Sequence, residues 1–179
     1  MDRRHLLAAL AVMAAAPAWA QQQAQQGAGA SGEPIGQAEQ KHAAETLAAG
    51  AVALEMSRVA RDKAQNAWAK KFAQYEIAEQ ETIAEVLKSM GAQPAAMNAQ
   101  ETRMTQSMIK RLTDAPAGAA FDRAYVDGQI QGHQELLRIQ EEYLAAGKDR
   151  SHVNVAKLAR GQVTEHIDML QTIKGELKA

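Results

Sequence analysis

Apolar residues recur at intervals of three and four along four long segments, and this spacing constrains the fold more than any other feature. One segment carries the stripe Trp68, Phe72, Tyr75, Glu79, Ile83, Val86, Met90. Such intervals place side chains on one face of an α-helix. Alanine and glutamine are abundant and runs of β-branched residues are absent, so helix is favoured throughout. The sequence therefore predicts an all-α protein.

Helix-capping and helix-breaking residues divide the chain into four long helices and one short helix. Asn66 is a good N-cap, whereas Gly91, Pro94, Pro116 and Gly147 mark helix ends. The predicted helices span approximately residues 37–63, 66–90, 97–112 and 118–146, followed by a helix that starts near 149 or 151 and continues toward the C-terminus.

The short third helix determines the predicted topology. It is about 24 Å long at 1.5 Å per residue, which is enough to carry the chain back along much of a bundle. The helices before and after it would then run parallel to each other. This pattern predicts a ferritin-like four-helix bundle with a short extra helix in the crossover between its second and third long helices.

The N-terminal residues are typical of an export signal followed by a spacer. Arg3 and Arg4 precede an apolar run, and Ala18-Trp19-Ala20 forms a small-x-small cleavage site. The run is about eleven residues long, whereas a membrane span needs about 20. We expect a cleavable signal at 1–20, a disordered Gln/Gly/Ala-rich spacer at 21–36 and a folded domain at 37–179. The mature protein would be periplasmic, exported by the general secretory route rather than the twin-arginine route, and without a transmembrane anchor.

Composition excludes several classes of function. The chain has no cysteine, which excludes disulfides, thiolate metal sites and a lipid-modified N-terminal cysteine. The net charge of −1 comes from interspersed acids and bases, so no basic face indicates nucleic-acid binding. No phosphate-binding glycine loop, nucleotide fingerprint or Ser–His–Asp order is present.

Four polar residues interrupt the apolar faces of the long helices, one on each helix. They are Glu55, Glu79, His133 and His166. One polar side chain near the middle of each helix is the arrangement of ligands that project into a bundle interior. Carboxylate and imidazole groups suit a divalent metal ion such as iron, manganese or zinc.

Four further residues are candidates for supporting this site. Gln129 and Gln162 lie one turn before the two histidines and on the same faces, so each amide is expected to orient an imidazole. Glu76 and Gln80 are expected to support the site from the second helix. The Glu-x-x-His spacing of di-iron sites is absent before both histidines, which disfavours a full di-iron centre.

A structural interpretation of the same residues remains open. Burying such groups without partners costs a few kcal/mol each, so Glu–His pairs would satisfy one another in any case. A hydrogen-bonded polar layer of this kind can also fix helix register.

Other residues carry weaker signals. Methionines at 90, 97, 104 and 108 permit a copper(I) site, although methionine at helical spacing is more often core filler. His42 and His152 look like surface residues without a cluster. Ala124, Gly128 and Gly132 form a line of small residues, which predicts close approach of a neighbouring helix.

The chain resembles the domain-of-unknown-function family 4142, a ferritin-like family often labelled "predicted outer membrane protein". The resemblance lies in Phe121–Tyr125, Gln129, Gly132-His133 and Thr164–Met169. Two further segments match the family's first two helices: Ala48-Ala49-Gly50 with Leu54-Glu55, and Lys71–Gln74. It covers about Leu47 to Leu177.

The resemblance implies an exported helical bundle with no established activity. Members of the family usually carry Asp-His in the middle of the second helix, where this chain has Glu79-Gln80. Any histidine-based site that the family has would therefore be altered here.

These observations predict a periplasmic bundle with a non-enzymatic binding or structural role in envelope maintenance or stress. The alternative is a metal-binding ferritin-like protein with a mid-bundle Glu/His site for iron, manganese or zinc, used for binding alone or for oxidation and reduction. A third interpretation is an interaction module that docks an envelope partner. The sequence does not fix the oligomeric state.

Overall fold

In the computed structural model, residues 35–94, 96 and 98–177 are described, and within them the chain forms five helices and no strand. The all-α prediction is confirmed, and the helix bounds agree with the predicted ones to within about two residues. The helices are α1 (Gln37–Lys63), α2 (Ala67–Ser89), α3 (Ala99–Asp114), α4 (Ala119–Ala146) and α5 (Arg150–Glu176).

The predicted signal peptide and nearly all of the predicted spacer lie outside the described residues. Among the helices that are described, none combines the length and the apolarity that a membrane crossing requires.

Local capping chemistry sets the helix ends. The Asn66 side chain accepts hydrogen bonds from the backbone N–H groups of Trp68 at 3.0 Å and Ala69 at 2.9 Å, which starts α2. Asp149 does the same for α5 through the N–H of His152 at 2.8 Å. After α2 the chain turns at Gly91, whose φ of 87° lies in the left-handed region that favours glycine.

Contacts between the helices fix their directions. On α1, His42 bonds Gln140 and Ser57 bonds Tyr125, so α1 and α4 are antiparallel. The short connection at residues 64–66 makes α1 and α2 antiparallel as well. Helices α4 and α5 are antiparallel across a three-residue connection, residues 147–149. As a result α2 and α4 point the same way, and α3 carries the chain between them.

The core consists of two apolar clusters at different levels of the bundle. The larger one is built around three aromatic rings and the aliphatic residues that surround them: Met56, Ala60, Ala64, Ala69, Phe72, Ala73, Leu112, Phe121, Tyr125, Val126, Ile130, Leu170, Ile173. The smaller one contains Ala43, Leu47, Leu87 and Ala92. Met108 packs against the larger cluster whereas Met104 is exposed, and Met97 lies outside the described residues.

The predicted core stripe of α2 is partly wrong. Trp68 is 60% exposed and Tyr75 52% exposed, and Val86 is exposed as well. The buried face instead runs through Ala69, Phe72, Ala73, Glu76, Gln80, Leu87. Small alanines on this face allow close packing against α1, so the helix turns its alanine edge inward and leaves its larger aromatic residues at the surface.

The two glycines in the line of small residues on α4 differ in how closely another helix approaches them. A methyl group added at Gly128 would meet the Met56 side chain of α1, as close helix approach predicts. At Gly132 the added methyl group would have no atom within 4 Å outside the helix itself, so the prediction of close approach is wrong there.

We therefore expect Gly132→Ala to stabilise the protein by about 0.5–1 kcal/mol, since alanine favours helix and nothing obstructs its methyl group. Urea unfolding followed by circular dichroism would measure the change. Gly128→Ala is the matched control and should gain less or lose stability, because Met56 must move. A loss of stability at Gly132 would show that the position is more constrained than its surroundings indicate.

Candidate metal centre

Three long helices each bring one titratable side chain to the same buried point. Glu76 comes from α2, His133 from α4 and His166 from α5. Glu76 and His133 are fully buried and His166 is 8% exposed. These three residues form the one group of three or more potential metal ligands found within the described ranges.

The donor atoms of the three side chains form a nearly equilateral triangle. Oε2 of Glu76 lies 3.3 Å from Nε2 of His133 and 3.2 Å from Nδ1 of His166. The two imidazole nitrogens are 3.2 Å apart. The Phe72 ring covers one side, with its centre 5.7 Å from the His133 ring and 5.0 Å from the His166 ring. Water therefore has little access to the triangle.

The hydrogen bond on the far side of His133 sets its tautomer. Nδ1 of His133 lies 2.8 Å from the backbone carbonyl oxygen of Gln129, one turn earlier on α4. A carbonyl only accepts, so Nδ1 carries the hydrogen and Nε2 of the neutral ring presents a lone pair to the triangle. Metal-binding histidines are usually held in this way by a carbonyl or carboxylate behind the ring.

His166 is held by a carboxylate in the corresponding manner. Its Nε2 lies 3.2 Å from Oε2 of Glu79, which is also largely buried. With a hydrogen on Nε2, the ring donates to Glu79 and turns the lone pair of Nδ1 toward Glu76 and His133. When both rings are neutral, the triangle therefore consists of three acceptor atoms, and a proton added to either ring places one N–H donor among them.

The charges around the triangle favour a cation at its centre. Burial alone would raise the pKa of Glu76, but hydrogen bonds and charge attraction from His133 and His166 in their protonated form lower it to about 2, so the carboxylate is ionised. Burial lowers the pKa of His166, but the flanking carboxylates of Glu76 and Glu79 outweigh that effect and raise it. Burial raises the pKa of Glu79 itself to about 7. Both oxygens of Glu76 are buried, and neither accepts a hydrogen bond from a group outside the triangle.

The structure brings together three of the four residues predicted as ligands, and only Glu55 lies apart from them. Glu79, His133 and His166 are in contact, whereas Glu55 is exposed and pairs with Arg58. The buried face of α1 passes through Ala53, Met56 and Ser57, which turns Glu55 toward solvent. Glu76, predicted to support the site, lies at its centre, and Glu79 lies behind His166.

The three glutamines also differ from their predicted roles. The Gln129 amide donates to the carbonyl oxygen of Ala53 at 3.0 Å and to the Ser57 hydroxyl at 2.9 Å, so only its backbone carbonyl orients His133. Gln162 is exposed and hydrogen-bonds the Glu79 carboxylate behind His166 rather than the imidazole itself. Gln80 packs over Gly50 of α1. A backbone carbonyl four residues before a histidine is present in any helix, so no sequence signal marks this interaction.

The prediction that His42 and His152 are surface residues is wrong. Each is only 2% exposed, and they lie beside Tyr143 near the end of the bundle where α4 meets α5. The His42 ring stacks on the Tyr143 ring with centres 4.3 Å apart.

Comparisons with known proteins agree with the helical fold. A family model described as "Domain of unknown function (DUF4142)" matches residues 20–173. The structure resembles the crystal structure of a DUF305 fragment from Deinococcus radiodurans with a TM-score of 0.71 and 16% sequence identity, covering 80% of this chain and 99% of that one. At this identity the likeness concerns the fold alone. No curated protein matches the chain.

Proposed function

The chain belongs to the DUF4142 family, and we propose that it is an exported protein that binds one divalent transition-metal ion between Glu76, His133 and His166. One observation carries the proposal. Three buried donor atoms lie within 3.3 Å of one another, and in the neutral rings the carbonyl behind His133 and the Glu79 carboxylate behind His166 leave lone pairs facing inward. A cation relieves the repulsion among these atoms, and two imidazoles with one carboxylate are common metal ligands.

The size of the triangle supports zinc as the ion that fits best. Atoms at the corners of a triangle with these edges lie about 1.9 Å from its centre, and zinc binds nitrogen and carboxylate oxygen at about 2.0–2.2 Å. An ion slightly outside the plane of the triangle therefore reaches all three donors. Iron and manganese accept the same ligand types. Three protein ligands leave at least one position for water or another small ligand.

The setting of the site is part of the proposal. The N-terminal signal pattern supports export to the periplasm. Ligands from facing helices, a crossover through α3, and α2 and α4 pointing the same way support a ferritin-like description of the bundle. The deep burial of Glu76 and His133 favours binding over turnover of a large substrate, in a role that maintains or protects the cell envelope.

A second candidate function is structural, and the complete burial of Glu76 and His133 favours it. In this case the Glu–His contacts form a polar layer that fixes how the helices align. The layer would contribute to stability without taking up a metal ion.

The proposed function is tested by counting zinc equivalents before and after replacement of one ligand. We expect His166→Asn to bind one equivalent fewer than the wild type, because its amide lies where Nδ1 lay but is a far weaker ligand than imidazole. Elemental analysis of purified protein and titration after chelator treatment would both measure this. Glu55→Gln is the control and should keep the full count. Equal counts in the wild type and His166→Asn would contradict the proposal.

A further inference from the structure

A second pair of buried histidines lies apart from the candidate metal centre. The two rings pack beside Tyr143, which follows His133 on α4 by about three helical turns. His42 of α1 and His152 of α5 are each 2% exposed, and their ring centres are 6.1 Å apart. Nδ1 of His42 and Nε2 of His152 are both buried and lack a hydrogen-bond partner. Two unpartnered imidazole nitrogens at one end of a helical bundle require a physical explanation.

The contacts of His42 show that its unpartnered nitrogen is a lone pair. Nε2 of His42 lies 2.7 Å from Oε1 of Gln140, and the amide nitrogen of Gln140 donates to the Thr46 hydroxyl at 3.1 Å. The amide oxygen only accepts, so Nε2 of His42 carries the hydrogen. In the neutral ring, Nδ1 is then an acceptor without a donor.

His152 has the same arrangement with the opposite nitrogen. Its Nδ1 lies 3.2 Å from Oδ1 of Asp149, the residue that caps α5. The carboxylate accepts, so Nδ1 carries the hydrogen and Nε2 presents the second free lone pair.

The spacing and charge of the pair fit a bound cation. A metal ion bound to two imidazoles lies about 2.0–2.1 Å from each nitrogen and each nitrogen about 1.1 Å from its ring centre, so the ring centres are about 5 Å apart at a tetrahedral angle and about 6.3 Å apart in a linear arrangement. The observed separation of 6.1 Å lies within this range and corresponds to a wide angle at the ion. Two carboxylates flank the pair: Glu39, which accepts a hydrogen bond from the Tyr143 hydroxyl at 2.8 Å, and Asp149. A pocket of about 170 Å³ opens beside His42 and Tyr143.

We propose that His42 and His152 form a second metal-binding site, which takes one divalent transition-metal ion that prefers imidazole nitrogen. The ligands from the protein are Nδ1 of His42 and Nε2 of His152, and the adjoining pocket leaves room for water in the remaining positions. This site does not depend on the one at Glu76, because the two share no residue.

Zinc titration of four forms of the purified protein tests the second site. The forms are the wild type, His42→Gln, Glu76→Gln and the double variant. We expect two, one, one and no equivalents, respectively. His42→Gln retains a side-chain N–H for Gln140 but removes the free ring nitrogen. If this variant does not fold, His152→Asn replaces it, since that side chain can still donate to Asp149.

The outcomes separate the two sites. Equal zinc counts in the wild type and His42→Gln would overturn the second site and leave His42 and His152 as a packed, hydrated pair. A wild-type count of one that is lost in His42→Gln but kept in Glu76→Gln would support the second site and contradict the first.

Discussion

Replacement of His133 by glutamine is expected to weaken zinc binding at the central site by more than about 100-fold. His133 is the fully buried member of the triangle on α4, and its Nε2 lies within 3.3 Å of both other donors. A glutamine amide in this position is a far weaker ligand than imidazole. The loss should exceed the 10–100-fold that removal of a hydrogen-bond partner behind a ligand causes. Competition with a chelator of known affinity would measure it.

Two further variants serve as controls for this measurement of zinc affinity. Glu79→Gln removes the carboxylate behind His166 but no donor of the triangle, so we expect an intermediate loss of about 10–100-fold. Glu55→Gln changes an exposed glutamate paired with Arg58 and should leave zinc affinity unchanged. If His133→Gln and Glu55→Gln bind zinc equally well, the central site does not hold the ion.

Glu76→Gln is expected to have opposite effects on metal binding and on stability. The variant should lose the central zinc ion, because an amide replaces the ionised carboxylate. Without metal, at a pH where both imidazoles are neutral, it should be as stable as the wild type or more stable by about 1–3 kcal/mol, since the amide can donate to the two nitrogens that face residue 76. Thermal and urea unfolding with and without zinc would measure both effects. Zinc bound at the central site should stabilise the wild type and not the variant.

Asp122→Asn is the control for removing a buried carboxylate. Asp122 is 2% exposed, and its two oxygens accept hydrogen bonds from the backbone N–H groups of Gln65 at 3.1 Å and Asn66 at 2.7 Å. Its partners are satisfied, so this change should cost about 1–3 kcal/mol and leave zinc binding intact.

The structural alternative makes the reverse prediction for Glu76. Breaking a buried Glu–His pair that serves only stability should cost about 3–5 kcal/mol in metal-free protein. Such a loss in Glu76→Gln, together with unchanged zinc binding, would show that the polar layer is structural.

Sequence periodicity was sufficient to predict where the helices lie, but it did not predict which face of α2 is buried. Glu76 and Glu79 are one turn apart, and both lie near the boundary of the apolar stripe. The stripe through Trp68 and Tyr75 placed Glu79 in the core and Glu76 beside it, whereas the structure buries Glu76 completely. Ala69 and Ala73 decide this, because their small side chains allow α1 and α2 to pack closely, and hydrophobicity alone gives alanine little weight.

His42 and Glu55 show the same limit on α1. His42 lies near the start of the helix, where few large apolar residues surround it at helical spacing. It is nevertheless buried by Tyr143 and Gln140, about 100 residues away in the sequence. Glu55 lies between apolar residues in the sequence, yet α2 and α4 cover the adjacent faces of α1 and leave Glu55 in solvent.

The sequence by itself determined that the described part of this protein is a bundle of four long helices with a short fifth, and that histidines on α4 and α5 interrupt apolar faces. Those properties are local, since periodicity and capping depend on residues within a few turns of one another. Only the tertiary structure decided that Glu76 completes the triangle with His133 and His166, and that His42 meets His152. These groupings depend on the rotation of each helix about its axis and on the level at which helices meet, which packing between distant segments determines.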